Sequence, residues 1–294
     1  MIKTGVSYIL NRDLSLAARD LTEIAASCDF IVHTFSETDM YYHRKQVQAI
    51  TALSRKKGLE VYLDPWGVGG VFGGETFSRF VAEHPGSCLK TKAGRIPVAA
   101  LGDKEFRKFF RSWLELAAEN KPDVILWDEP HQAGMGYSKS EVRTVLDFLK
   151  EMTGHAQAAG FKNAICLYPQ EDSYAEELWY RVLELKSIDI FGTDPYWMLL
   201  GRDIDFVESF AKKVYNLCKR YDKESQIWIQ AFRVAKGREK EIATAIKTVY
   251  ASGIRNIAAW SYDAGALVTG LGSGDGKKVW QMVKKTYLEI KKKR

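Results

Sequence analysis

The chain has 294 residues, 46% of them hydrophobic and 27% charged, with a formal net charge of +6. That composition excludes a disordered protein and supplies enough apolar mass for one large domain, expected to span 1–294. Part of the positive charge sits in the terminal run Ile290-Lys291-Lys292-Lys293-Arg294, which reads as a solvated helix end, so nucleic acid is not an expected partner.

In chain order, the opening apolar run turns polar at Asn11-Arg12-Asp13. It is too short for a signal peptide or a membrane span, so a cytoplasmic protein without a membrane partner is expected. The strand candidates are Thr4–Ile9, Phe30–Thr34, Glu60–Leu63, Val124–Trp127, Ala164–Tyr168, Ile188–Gly192, Gln226–Ala231 and Asn256–Trp260. Most are continuous apolar runs, as in strands covered on both faces. The helix candidates between them are Leu14–Ala26, Tyr41–Lys57, Lys104–Glu119, Ser140–Ala159, Asp172–Leu185, Asp203–Tyr221, Arg238–Ser252 and Lys277–Lys292. Eight strands alternating with eight helices predict an α/β fold, a single (β/α)8 TIM barrel. A doubly wound sheet is the alternative, but no Gly-rich fingerprint follows the first strand. Residues 64–103 exceed an ordinary connection and are expected to form a lid or a wall of a cleft.

A barrel carries its chemistry where strands end and βα loops begin. Those places hold His33, Glu37 and Asp39; Asp64 and Trp66, followed by a Gly-rich stretch up to Glu75; Asp128, Glu129 and His131; Tyr168, Gln170 and Glu171; Asp194, Tyr196 and Trp197; Gln230, Phe232 and Arg233; and Trp260, Tyr262 and Asp263. The stretch Leu126-Trp127-Asp128-Glu129-Pro130 is the most informative. Two adjacent acids ending a buried strand repel each other and lose hydration together, a cost that function explains better than capping does. Carboxylates beside Trp and Tyr rings suit a carbohydrate substrate: rings stack on the apolar faces of sugars, and acids move protons. Asp128, Glu129, Asp194 and Asp64 are the catalytic candidates. His33, Glu37, Trp66, His131, Tyr168, Tyr196, Trp197, Gln230, Trp260 and Tyr262 are the substrate-binding candidates. Trp127 and Trp228 fall inside strand runs and read as packing.

Cys28, Cys88, Cys166 and Cys218 show no CxxC spacing and read as reduced thiols of a cytoplasmic protein. No His-x-His pair follows the first strand, and neither a metal nor another cofactor is expected. The Gly-rich stretch Gly67–Glu75 lacks the Lys and Ser/Thr of a P-loop and reads as a loop over the substrate. The stretch Gly270–Gly276 lies where barrels often hold phosphate, which keeps an isomerase or aldolase of phosphorylated sugars as an alternative.

The pattern resembles the clan A glycoside hydrolases, whose fourth strand ends in Asn-Glu, often followed by Pro, with the Glu as general acid/base. Asp128-Glu129-Pro130 matches with Asp in place of Asn, and Trp260 at the end of the eighth strand also fits. The resemblance implies a glycosidase with Glu129 as acid/base. It departs at Gln230, which stands where the clan has its nucleophilic Glu. The second partner is then Asp194, Asp64 or the substrate itself. The adjacent acids also resemble those of the 2-acetamido-dependent hexosaminidases of families 20 and 123. That likeness implies that Asp128 polarises a substrate acetamido group while Glu129 protonates the leaving oxygen. A barrel that binds sugars without cleaving them is a further alternative.

Overall fold

The computed structural model describes residues 1–9, 11–74, 76–132, 138–169, 172–266 and 268–293. The expected residues Glu75, Gln170 and Glu171 lie outside this set.

Eight parallel strands close into a barrel: β1 (Lys3–Tyr8), β2 (Phe30–Thr34), β3 (Glu60–Asp64), β6 (Val124–Asp128), β7 (Lys162–Leu167), β8 (Ile190–Thr193), β9 (Glu224–Gln230) and β10 (Asn256–Trp260), with β10 pairing back onto β1. Helices α1 (Leu14–Ala25), α2 (Arg44–Lys56), α4 (Lys104–Ala118), α5 (Lys139–Ala158), α6 (Ser173–Leu183), α7 (Ile204–Tyr221), α8 (Lys240–Ala251) and α9 (Gly276–Lys291) connect or follow them. The expected (β/α)8 barrel is the fold observed. Several helices start where an acid or hydroxyl binds the free N–H groups of the first turn, as Asp13, Asp103 and Asp172 do. Ser138 and Glu141 form a capping box at the start of α5.

The segment between β3 and β6 carries the short helix α3 (Arg79–Glu83) and an antiparallel hairpin, β4 (Cys88–Thr91) and β5 (Gly94–Ala99). Its attachment is specific. The buried Glu37 carboxylate accepts from Gly69 N–H (2.9 Å), Ser78 Oγ (2.6 Å) and Phe80 N–H (2.7 Å).

Side chains alternate across each strand. Phe30 and Val32, Val124 and Leu126, Ala164 and Cys166, and Trp228 pack together inside the barrel. Ile31, Val61, Leu63, Ile125, Trp127 and Ile165 belong to the second core, between strands and helices. All four cysteines are buried and unpaired.

Candidate active site

The same alternation builds the site. Continuing the inward series of β3, β6 and β8 by two residues each puts Asp64, Asp128 and Asp194 at the C-terminal mouth of the barrel. Glu129 breaks the alternation. Its φ of +42° is left-handed, unusual for a residue with a Cβ, and its N–H donates to Cys166 O (2.9 Å). Two consecutive carboxylates therefore reach one cleft.

That cleft, about 180 Å³, is lined by Asp128, Glu129 and Asp194 together with Trp66, Tyr168, Tyr196, Phe232 and Trp260. Its aromatic wall is continuous. Trp66 stacks on Trp260 (centroids 5.6 Å apart, planes at 10°), Trp260 meets Phe232 edge-on (4.9 Å), and Phe232 meets Tyr196 edge-on (5.0 Å). Gly73 and Gly74 close the floor on the β3 side. A Cβ on residue 73 would stand 2.3 Å from Asp128 Oδ2 and 3.2 Å from Glu129 Oε2, so both carboxylates lean on the same glycine. Gly73 N–H donates to Asp128 O (3.0 Å).

The acids share protons. Burial, then the charges of Asp128 and Glu129, push Asp64 well above the carboxylate range. Asp128 is raised by burial and by Glu129. Asp194 is raised by burial, by the charge of Glu129 and by a hydrogen bond to it. Burial also raises Glu129, while the hydrogen bond from Asp194 draws it part of the way back. The four carboxyls are close enough to act on one another, so their protons belong to the cluster and not to one side chain. Asp194 Oδ1 and Trp66 Nε1 at the cleft, and Asp64 Oδ1 behind it, are buried without a partner among the described residues. Buried polar atoms are normally paired, so groups left open at a cleft are where a ligand's hydrogen bonds fit.

Of the binding candidates, Trp66, Tyr168, Tyr196 and Trp260 meet at the cleft. Asp64 lies close enough to repel Asp128 and Glu129 but is not part of the cleft wall. His131 adjoins the acids, its Nδ1 donating to Glu129 O (2.7 Å), and also lies off the wall. The others are not brought to the cleft. His33 falls on the outward side of β2, where Nε2 pairs with Ser54 Oγ of α2 (2.8 Å); burial and the charges of Arg12 and Arg55 push its pKa down to about 3. Glu37 is consumed by the loop described above. Trp197 is buried, its Nε1 donating to Glu241 (3.1 Å) at the start of α8. Tyr262 turns toward α1 and α9, bonding Glu23 (3.2 Å) and meeting Trp280 edge-on. Gln230 is buried with its amide spent on backbone groups. Phe232, Leu199 and Leu271 also line the cleft. The parity of Trp228, Gln230 and Phe232 points to Phe232; nothing in the sequence singles out the two leucines.

Taken as a class, this is a closed (β/α)8 barrel with clustered carboxylates and rings at its C-terminal mouth. Among the solved structures with a similar fold are the following three. An endo-1,4-β-mannanase from Rhizomucor miehei superposes with a TM-score of 0.73 at 11% identity, covering 99% of this chain and 95% of that one. A GH5_18 protein from Streptomyces cattleya in complex with GlcNAc superposes with a TM-score of 0.71 at 13% identity, covering 100% of this chain and 81% of that one. An endo-β-1,4-mannanase from Thermotoga petrophila gives 0.67 at 9% identity, over 99% and 77%. No family model and no curated protein sequence matches the chain.

Proposed function

We propose that this chain hydrolyses O-glycosidic bonds, with Glu129 protonating the leaving oxygen. The observation that carries this reading is the meeting of Asp128, Glu129 and Asp194 in one cleft walled by aromatic rings. Burial raises Glu129, the direction a general acid needs, and rings give a sugar its stacking surface. The fold shared with mannanases and a GlcNAc-bound GH5_18 protein supports a carbohydrate substrate.

The second partner follows from what the neighbours of Glu129 are free to do. Gln230 has no carboxylate to offer. Asp194 is engaged with Glu129 itself, by charge and by a hydrogen bond. Its role in this arrangement is to set the Glu129 proton. Asp64 lies off the cleft wall. Asp128 lies beside Glu129 and lines the cleft. These observations favour a substrate 2-acetamido group as the internal nucleophile, polarised by Asp128. A phosphorylated sugar is less favoured, because acids and rings line the cleft and no Lys or Arg stands among the described lining residues.

The test is hydrolysis of 4-nitrophenyl glycosides with and without a 2-acetamido group, beside Glu129→Gln. The expected outcome is cleavage confined to 2-acetamido sugars, lower in the variant by roughly 10²–10⁴-fold, with the melting temperature kept. Cleavage of plain glycosides would return the second role to Asp194. Loss of folding in the variant would make Glu129 structural.

A further inference from the structure

The end of the seventh barrel strand, β9, carries a buried amide whose hydrogen bonds all run to loops of the cleft. Gln230 Oε1 accepts from Met198 N–H (3.0 Å) and Leu199 N–H (3.1 Å), and Nε2 donates to Phe232 O (3.0 Å). The side chain is 0% exposed. Met198 and Leu199 belong to the loop after β8, which carries Tyr196 and contributes Leu199 itself to the cleft. Phe232 belongs to the loop after β9. Gln230 therefore joins the two loops whose rings, Tyr196 and Phe232, meet at 5.0 Å.

We infer that Gln230 is a positioning residue that clamps the Tyr196–Phe232 part of the aromatic wall and so sets how tightly the sugar is held. The inference rests on the sugar-binding reading of that wall. The physical case is one of matching. Two N–H donors and one carbonyl acceptor face a group with an acceptor end and a donor end, and of the common side chains only a primary amide of this length supplies both. A carboxylate keeps the two accepted bonds but turns an unbalanced charge toward Phe232 O. An aliphatic side chain leaves the buried Phe232 carbonyl and the part-buried Met198 and Leu199 N–H groups without this partner. The position that a clan A hydrolase gives to its nucleophile is here spent on architecture.

The experiment compares Gln230→Leu and Gln230→Glu with the wild type by steady-state kinetics on 4-nitrophenyl glycosides and by amide hydrogen exchange. Gln230→Leu is expected to raise KM about tenfold with kcat within about threefold and an unchanged pH profile. Protection at Met198 and Leu199 should fall by tenfold or more while the barrel strands keep theirs. Gln230→Glu should keep that protection, raise KM less and give no gain in kcat. A fall in kcat at constant KM, unchanged protection at Met198 and Leu199 in Gln230→Leu, or a gain in kcat in Gln230→Glu would overturn the clamp. Should Gln230→Leu not fold, Gln230→Glu decides by the same readings, and an unaltered KM there counts against it. If the wild type cleaves no glycoside, the proposed reaction fails, and the exchange data still judge the clamp.

Discussion

Glu129 owes its acidity to opposed influences, and they make its pH behaviour predictable. Burial raises its pKa, and the hydrogen bond from Asp194 lowers it. A general acid works protonated, so activity should be lost as pH rises through the elevated value. Asp194→Ala removes the donor that lowers it, so Glu129 should hold its proton more tightly. The alkaline limb of the kcat/KM profile is then expected to move to higher pH. A limb that stays put or moves down would mean that the Asp194 hydrogen bond does not lower Glu129. At this scale the sequence was informative about the acids and misleading about His33. Asp64, Asp128 and Asp194 follow from strand ends and parity. His33 stands at an equally suggestive strand end, but Phe30 and Val32 share the inward face and leave the histidine on the other side. Glu129 is the reverse case: parity predicts that it points away from the barrel, and its left-handed backbone turns it back.

At the scale of elements, one buried carboxylate gathers three donors of the inserted segment between β3 and β6. Glu37 has three donors, two of them backbone N–H groups. Glu37→Ala leaves those donors buried and unpaired, and a loss of about 2–4 kcal/mol is expected in denaturant unfolding. A change under 1 kcal/mol would show that the loop re-forms its bonds elsewhere. The eight barrel strands were legible because most are continuous apolar runs, and their helices because caps and periodicity bound them. The hairpin β4–β5 was not. Its residues are mostly exposed or half-exposed, it holds Pro97, and it shows neither a long apolar run nor strict alternation. Only the excess length of 64–103 pointed to a wall there. Trp197 and Tyr262 look like platforms at strand ends, yet contacts with α8, and with α1 and α9, that no local pattern announces take them away from the cleft.

At the scale of the whole molecule, the acidic mouth sets a stability cost that depends on pH. Asp64, Asp128, Glu129 and Asp194 are all raised in the folded state. Between the ordinary carboxylate values near 4 and the raised ones, the folded chain binds more protons than the unfolded chain, so stability falls as pH rises through that window. His33 acts in the opposite direction. Lowered to about 3, it takes stability away as pH falls below about 6.5. Asp64→Asn is therefore expected to raise the melting temperature more at pH 8 than at pH 5. Equal shifts at both values would mean that Asp64 is ionised throughout. On the proposed reading, the mouth of the barrel is a place where stability is given up for chemistry, as functional sites commonly are.

The four unpaired thiols have a consequence of another kind. Disulfide exchange needs a thiolate that a partner sulfur can reach. Burial pushes Cys28 and Cys218 up to about 12 and Cys166 well above its usual value, and all four side chains are closed off by the fold. The folded chain is therefore shielded from the oxidant of whatever compartment holds it. The absence of disulfides therefore carries no address.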